Sequence, residues 1–309
     1  MSILLKTVRG AAVALLAATA LTGPAYAIPS YGYSTLHFEN FILSGIFDAK
    51  GQTLPGVVAN SSVTSTDGAN YPGFAPGGTS AGGNIFSGTD PAQATSGPGP
   101  FPAQNIFTQA LTASSGTRGD AQITGAIASG ATSNLVSEGN LTTNGSAGSN
   151  AGTSTSINVS FTGASTVSLS FAASSALMSS VGNLGDSSSS QASASFKIFD
   201  ATAGTYVFIT DNVSGSSSTD VTPFALNQNV ASTNPGSPQT FLSSLTNYSY
   251  AANLVAAHNY QLTLADSTSV ILTGSVLAPV PEPETYAMML VGLSALGFMA
   301  RRRKTRTDR

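Results

Sequence analysis

Residues 157–171 read INVSFTGASTVSLSF. Ile157, Val159 and Phe161 alternate with Asn158 and Ser160, and Val167, Leu169 and Phe171 repeat the pattern. Successive side chains of an extended chain point to opposite faces, so a period of two predicts half-buried strands. Thr162, Gly163 and Ala164 between the runs are expected to form a turn. The pattern recurs on both sides. Residues 35–47 (TLHFENFILSGIF) are apolar-rich and partly alternating. Phe196 and Ile198 lead through DATAG at 200–204 into Tyr206 and Phe208, a hairpin by spacing. Tyr260, Leu262 and Leu264 alternate before Asp266, Ser267 and Thr268, and Val270 and Leu272 follow. Short alternating strands separated by Gly, Ser and Asn turns predict a mainly β fold, a single antiparallel β-sandwich-like domain.

Two stretches read differently. Residues 55–102 hold 7 Pro and 10 Gly in 48 positions, above the ~25–30% typical of low-complexity sequence, and are expected to form a long loop. Tyr71, Phe74, Phe86 and Phe101 are expected to tether that loop to the core. Residues 243–257 (SSLTNYSYAANLVAA) read as one short helix.

Composition excludes several classes. The 309 residues include no Cys, no Trp and two His, while Ser (46) and Thr (35) dominate. Without Cys there is no disulfide framework and no thiolate metal site. With 11 Lys+Arg against 14 Asp+Glu, no nucleic-acid partner is expected. Phosphate-loop, dinucleotide and nucleophile-elbow fingerprints are missing, so neither a cofactor nor a catalytic residue is expected.

Charge is divided unevenly along the chain. Residues 1–27 carry +2, residues 28–278 carry −8, and residues 279–309 carry +3. Such asymmetry points to targeting segments at the ends. At the start, Lys6 and Arg9 precede an uncharged apolar run over 11–21, then Gly23-Pro24 and the A-x-A site Ala25-Tyr26-Ala27. This is the layout of a secretory signal peptide cleaved after Ala27 by signal peptidase, following Sec export. Eleven apolar residues are too few to span a ~30 Å bilayer core at 1.5 Å per residue.

The C-terminus has three parts. Residues 280–284 (VPEPE) are held extended by Pro281 and Pro283. Residues 285–300 (TYAMMLVGLSALGFMA) carry no charge and predict one transmembrane helix roughly 24 Å long. Arg301, Arg302, Arg303 and Lys304 then form a basic stop, which the positive-inside rule keeps cytoplasmic. Pro281, Glu282 and Pro283 followed by a hydrophobic helix and an Arg cluster resemble the PEP-CTERM sorting signal of Gram-negative bacteria. The resemblance implies that exosortase, an integral-membrane cysteine transpeptidase, cuts at or near Pro281–Pro283. It also implies an inner-membrane-anchored precursor that is delivered to the cell surface or extracellular matrix.

The body resembles the exosortase-dependent surface proteins within that group. The resemblance is carried by LHFENFIL (36–43), VSLSFAASSALMS (167–179), DVTPFALNQNV (220–230) and HNYQLTLADST (258–268). It implies surface location and brings no catalytic residue. The domains expected are thus 1–27 (signal), 28–278 (exported β domain) and 279–309 (sorting signal).

The remaining candidates are sparse. His37 and His258 read as surface or cap histidines. Asp200, Asp211 and Asp220 fall near strand ends, as solvated turn acids or as loop ligands for Ca²⁺. Arg118-Gly119-Asp120 is an adhesion-type triplet that turn chemistry explains equally well. The leading expectation is a non-enzymatic surface or matrix protein associated with exopolysaccharide or biofilm. The alternative is a β-sandwich lectin, for which Tyr31, Tyr33, Tyr71, Tyr248 and Tyr250 are the candidate platforms, although core or rim packing is the more ordinary role for most of them. A carboxylate-based hydrolase ranks third.

Overall fold

The computed structural model describes residues 29–48, 50, 52–210, 226–274 and 289–294. Contacts divide the chain into a unit Ala27–Ser275, which holds every strand, and a unit of Met1–Tyr26 with Val276–Arg309. Within the second unit, residues 289–294 form a short exposed run of helix, where the Ser294 hydroxyl donates to the Leu290 carbonyl at 2.7 Å. No helix among the described residues is long and apolar enough to cross a membrane. The signal segment and most of the helix expected over 285–300 lie outside the described residues.

Fifteen strands follow in chain order among the described residues. They begin with β1 (Ser30–Ser44), β2 (Val57–Asn70), β3 (Gly77–Asn84), β4 (Gly88–Thr89) and β5 (Ala92–Gly99). Next come β6 (Ser115–Ala126), β7 (Gly130–Leu141), β8 (Gly145–Phe161), β9 (Ser165–Ser180) and β10 (Ser187–Asp200). The last are β11 (Thr205–Thr210), β12 (Gln228–Ser232), β13 (Gln239–Leu242), β14 (Thr246–Leu254) and β15 (Asn259–Gly274). The predicted hairpin is β10–β11, and the turn expected at 162–164 joins β8 to β9, which do not pair with each other but go to different neighbours.

The mainly β expectation holds, but the architecture is one sheet. Its order is β11-β10-β15-β8-β2-β3-β4-β6-β7-β1-β9-β13, with β12 on β10, β14 on β9 and β5 on β6. Every pairing is antiparallel. The sheet curls through half a barrel, so β7 and β1 lie over β15 and β10. Side chains tie the facing layers. The Ser34 hydroxyl donates to the Gln191 carbonyl at 2.7 Å, and the Ser137 and Thr268 hydroxyls meet at 2.9 Å. The two faces of the expected sandwich therefore belong to one continuous ladder. Strand twist accumulates across a wide sheet until its own faces pack together.

A bulge in β1 shapes this curl. Its register shifts against β7 between Phe38 and Phe41 and against β9 between Glu39 and Ile42. Asn40 there has φ 53°, a left-handed conformation that Asn tolerates better than most residues. Phe38 and Phe41 consequently both point inward, with ring centroids 5.2 and 6.1 Å from Phe171.

The interior is layered along the strands. On β15, Tyr260, Leu262 and Leu264 face in first, then Asp266 and Thr268, then Val270 and Leu272, all buried. The first group joins Leu36, Leu135, Ile157, Leu169 and Phe196 in the main apolar core. Burying each such side chain fully contributes about 1.5–3 kcal/mol. The last group joins Tyr71, Leu141 and Ala147 in a second cluster. Between them the fully buried Asp266 accepts from the hydroxyls of Ser133 (2.8 Å) and Thr153.

Two expectations are corrected. The Gly/Pro-rich stretch 55–102 is largely strand: β2, β3, β4 and β5 all lie in it. Its alternation is concealed because the inward positions include Ser65, Asp67 and Ala69, small or polar residues that carry no hydropathy signal. Residues 243–257 form β14 in place of a helix. Tyr248 and Tyr250 alternate against β9, with Phe171 stacked on Tyr248 at 5.1 Å.

Candidate functional site

The residues expected to direct sorting, Pro281, Glu282, Pro283, Arg301, Arg302, Arg303 and Lys304, lie outside the described residues, as do Ala25 and Ala27. Asp211 and Asp220 lie outside them too. Among the described residues, no group of three or more His, Cys, Asp or Glu is placed to hold a metal ion.

The Arg118-Gly119-Asp120 triplet sits in the middle of β6, and all three residues are buried. Arg118 pairs across the ladder with Glu138 on β7. Its Nε donates to Glu138 Oε2 at 2.9 Å, and its two remaining nitrogens donate to the carbonyls of Ile106 and Thr108. Glu138 also accepts from the backbone amides of Ala110 and Leu111 and, at 2.6 Å, from the Tyr31 hydroxyl. Burial, reinforced by the negative charge of Glu138, raises the Tyr31 phenol above its usual range. Asp120 accepts from the Asn105 amide at 2.8 Å. These bonds fasten the segment between β5 and β6 onto the outer face of β6, β7 and β1. A β-carbon on Gly119 would collide with the Asn150 carbonyl, so the triplet is built for packing. No receptor reaches it in the folded chain.

The candidate platform tyrosines are packed, the core or rim role expected for most of them. Tyr31, Tyr33 and Tyr71 are buried, and Tyr248 and Tyr250 lean on Phe171 and Phe208. The histidines are held by neighbours. His37 Nδ1 lies 2.6 Å from Asn134 Oδ1, and His258 Nδ1 lies 2.6 Å from Asp200 Oδ2. Asp200 also accepts from the Thr202 and Ala203 amides, closing the β10–β11 turn. Burial alone would raise its carboxyl, but His258 and these amides hold it below the ordinary value.

Three other acids are displaced the opposite way. Burial pushes Asp67 up to about 8, with the nearby charge of Asp120 adding to it. Burial also pushes Asp120 and Asp266 up to about 6. One oxygen each of Asp67 and Asp120 is buried without a hydrogen-bond partner.

A concavity lies elsewhere, on the outer face of β2, β8, β15 and β10. It is a shallow groove of about 380 Å³, lined by Asn60, Asn158, Gln261, Asn259 and Phe199 among others, and no acid or base lines it. Asn60 pairs with Asn158, Asn158 with Gln261, Gln261 with Phe199, and Phe199 with Tyr206. Sequence reasoning did not single out these five as a group. Asn158, Phe199 and Gln261 occupy the outward phase of strands that the alternation identified, whereas Asn60 lies in the stretch expected to be a loop, and the register that aligns the row is not written in any one strand.

Residues 279–304 match the family model for the PEP-CTERM protein-sorting motif. The match spans Pro281, Glu282 and Pro283 as well as Arg301 to Lys304. That motif implies exosortase-dependent sorting to the cell surface, with exosortase as the processing partner of a C-terminally membrane-anchored precursor. No curated protein and no solved structure matches the chain.

Proposed function

We propose that this chain is a non-enzymatic surface or matrix protein of the exosortase-dependent type, whose exported part, residues 28–278, associates with extracellular polysaccharide. The observation that carries this reading is the sorting motif at 279–304, placed directly after a self-contained β unit that ends at Ser275. Signal peptidase removes residues 1–27 after Ala25-Tyr26-Ala27. The hydrophobic segment 285–300 holds the precursor in the inner membrane, with Arg301 to Lys304 on the cytoplasmic side. Exosortase then cuts near Pro281–Pro283, where two prolines keep the backbone extended for a protease cleft. The released body carries −8 and no Cys, which suits a soluble, redox-indifferent protein outside the cell.

Intact-mass and peptide mass spectrometry of surface material tests the reading. The mature chain is expected to begin at Ile28 and end near the Pro-Glu-Pro motif in cells with exosortase, and to keep its basic tail where the enzyme is deleted. A basic tail retained on surface material in the presence of exosortase overturns it.

A further inference from the structure

The row Asn60–Asn158–Gln261–Phe199–Tyr206 crosses five neighbouring strands on one outer face. At about 4.8 Å between strands, it extends roughly 19 Å. Among the described residues, the side-chain amides of Asn60, Asn158, Asn259 and Gln261 make no hydrogen bond within the protein. At the far end, the half-buried Phe199 and the 44% exposed Tyr206 pack edge to face at 5.1 Å. The row carries no charge, and Tyr206 stands just beyond the residues that line the groove. In the neighbouring row on the same face stands Lys197, paired with Thr263 and not among the residues that line the groove.

We infer that this groove binds a neutral, extended polysaccharide, the amides hydrogen-bonding its hydroxyls and the Phe199–Tyr206 pair carrying the apolar face of a sugar ring. This deepens the proposed association with extracellular polysaccharide and rests on it. A carboxamide presents donors and an acceptor side by side, as a sugar hydroxyl does, so each amide matches either polarity of a hydroxyl. An anionic or cationic ligand would bring charge to a surface with no counter-charge in its lining, at a desolvation cost that nothing there offsets. An added peptide strand finds no free ladder on β8, β15 or β10, which are paired on both edges along the row; among the described residues the open edges, Val57–Ser62 of β2 and the outer side of β11, lie at its two ends. A groove of this size with a few convergent polar groups lies within the range of ligand sites. The linear arrangement suits a chain better than a single sugar.

The exported segment 28–278 contains every strand and is suited to the test. Native gels cast with hydroxyethyl cellulose, dextran or galactomannan, and with alginate as an anionic comparison, measure retardation. At least one neutral polymer is expected to retard the protein, alginate not. The double variant Asn158→Ala with Gln261→Ala is expected to weaken retardation at least tenfold, and Tyr206→Ala severalfold. Thr64→Ala, exposed on β2 beyond the groove, is expected to bind as the unchanged protein does. Circular dichroism and Tm verify that each variant is folded. If the unchanged protein binds and the double variant binds equally, the groove is overturned while association with polysaccharide stands. If neither a neutral polymer nor alginate retards the unchanged protein, both fall, and the exosortase cleavage read by mass spectrometry is untouched. Preference for alginate overturns the neutral-ligand chemistry. A dimer seen by light scattering and abolished by the double variant makes the face a contact between copies, and overturns the proposal.

Discussion

Arg118 and Glu138 face each other across β6 and β7 with Nε 2.9 Å from Oε2, and both side chains are fully excluded from solvent. Taking two charges out of water is costly, and here each is surrounded by further hydrogen bonds that complete its valence. Arg118 has two backbone carbonyls, and Glu138 has two backbone amides and the Tyr31 hydroxyl. The pair thus acts as the fastener of a surface segment.

Removing one partner leaves the other charge buried and uncompensated. Arg118→Met is expected to destabilise the exported segment by about 3–5 kcal/mol, read as a lowered urea midpoint. Adding Glu138→Leu is expected to recover part of that loss. An Arg118→Met effect below about 1 kcal/mol contradicts this account. For the same reason, attachment of animal cells to the folded protein is expected to be indifferent to Asp120→Glu.

The raised acids make stability fall with rising pH. An unfolded aspartate titrates near 3.9, so above that pH the unfolded chain binds fewer protons than the folded one. The decline runs to about pH 6 for Asp120 and Asp266 and to about pH 8 for Asp67. Tm measured at pH 4.5, 6 and 8 is expected to decrease stepwise. Asp67→Asn is expected to flatten the segment from pH 6 to 8. A Tm that rises across this range refutes the assignment.

Asp200 contributes with the opposite sign. Its carboxyl is held low, so its stabilisation is present above the unfolded value near 3.9 and is lost as pH falls through the folded one. Asp200→Ala removes two turn hydrogen bonds and the His258 contact, and is expected to cost about 1–2 kcal/mol at pH 7. The difference from the unchanged protein is expected to shrink at pH 3. An equal cost at both values of pH counts against an ionised role.

At the β1 bulge, Asn40→Gly is expected to be nearly neutral. Asn40→Val places a β-branched side chain at φ 53° and is expected to cost about 1–3 kcal/mol. Calorimetry of the two variants separates backbone strain from loss of the side chain. Equal Tm values would mean that the bulge does not depend on a left-handed residue.

The strands of 157–171, 196–208 and 260–272 were legible because large apolar residues mark their inward phase. In β2 the inward phase runs through Ser65 and Asp67, and a polar interior leaves no trace in hydropathy. In β14, Tyr248 and Tyr250 carry the alternation between small residues that also fit a helix. For Tyr31, Tyr33 and Tyr71 the sequence left core packing and glycan platforms both open, and packing is what the fold gives, because exposure of an aromatic depends on which segment covers it.

Local order alone determined the strand periodicity, the charge division of +2, −8 and +3, and the sorting motif, since each is a property of consecutive residues. Tertiary structure decided the rest. A period of two says which residues share a face but not which strand lies beside it. Register placed Arg118 opposite Glu138 and sealed the triplet inside. The same pairing drew Asn60, Asn158 and Gln261, some 200 residues apart at the extremes, into one row on the outside.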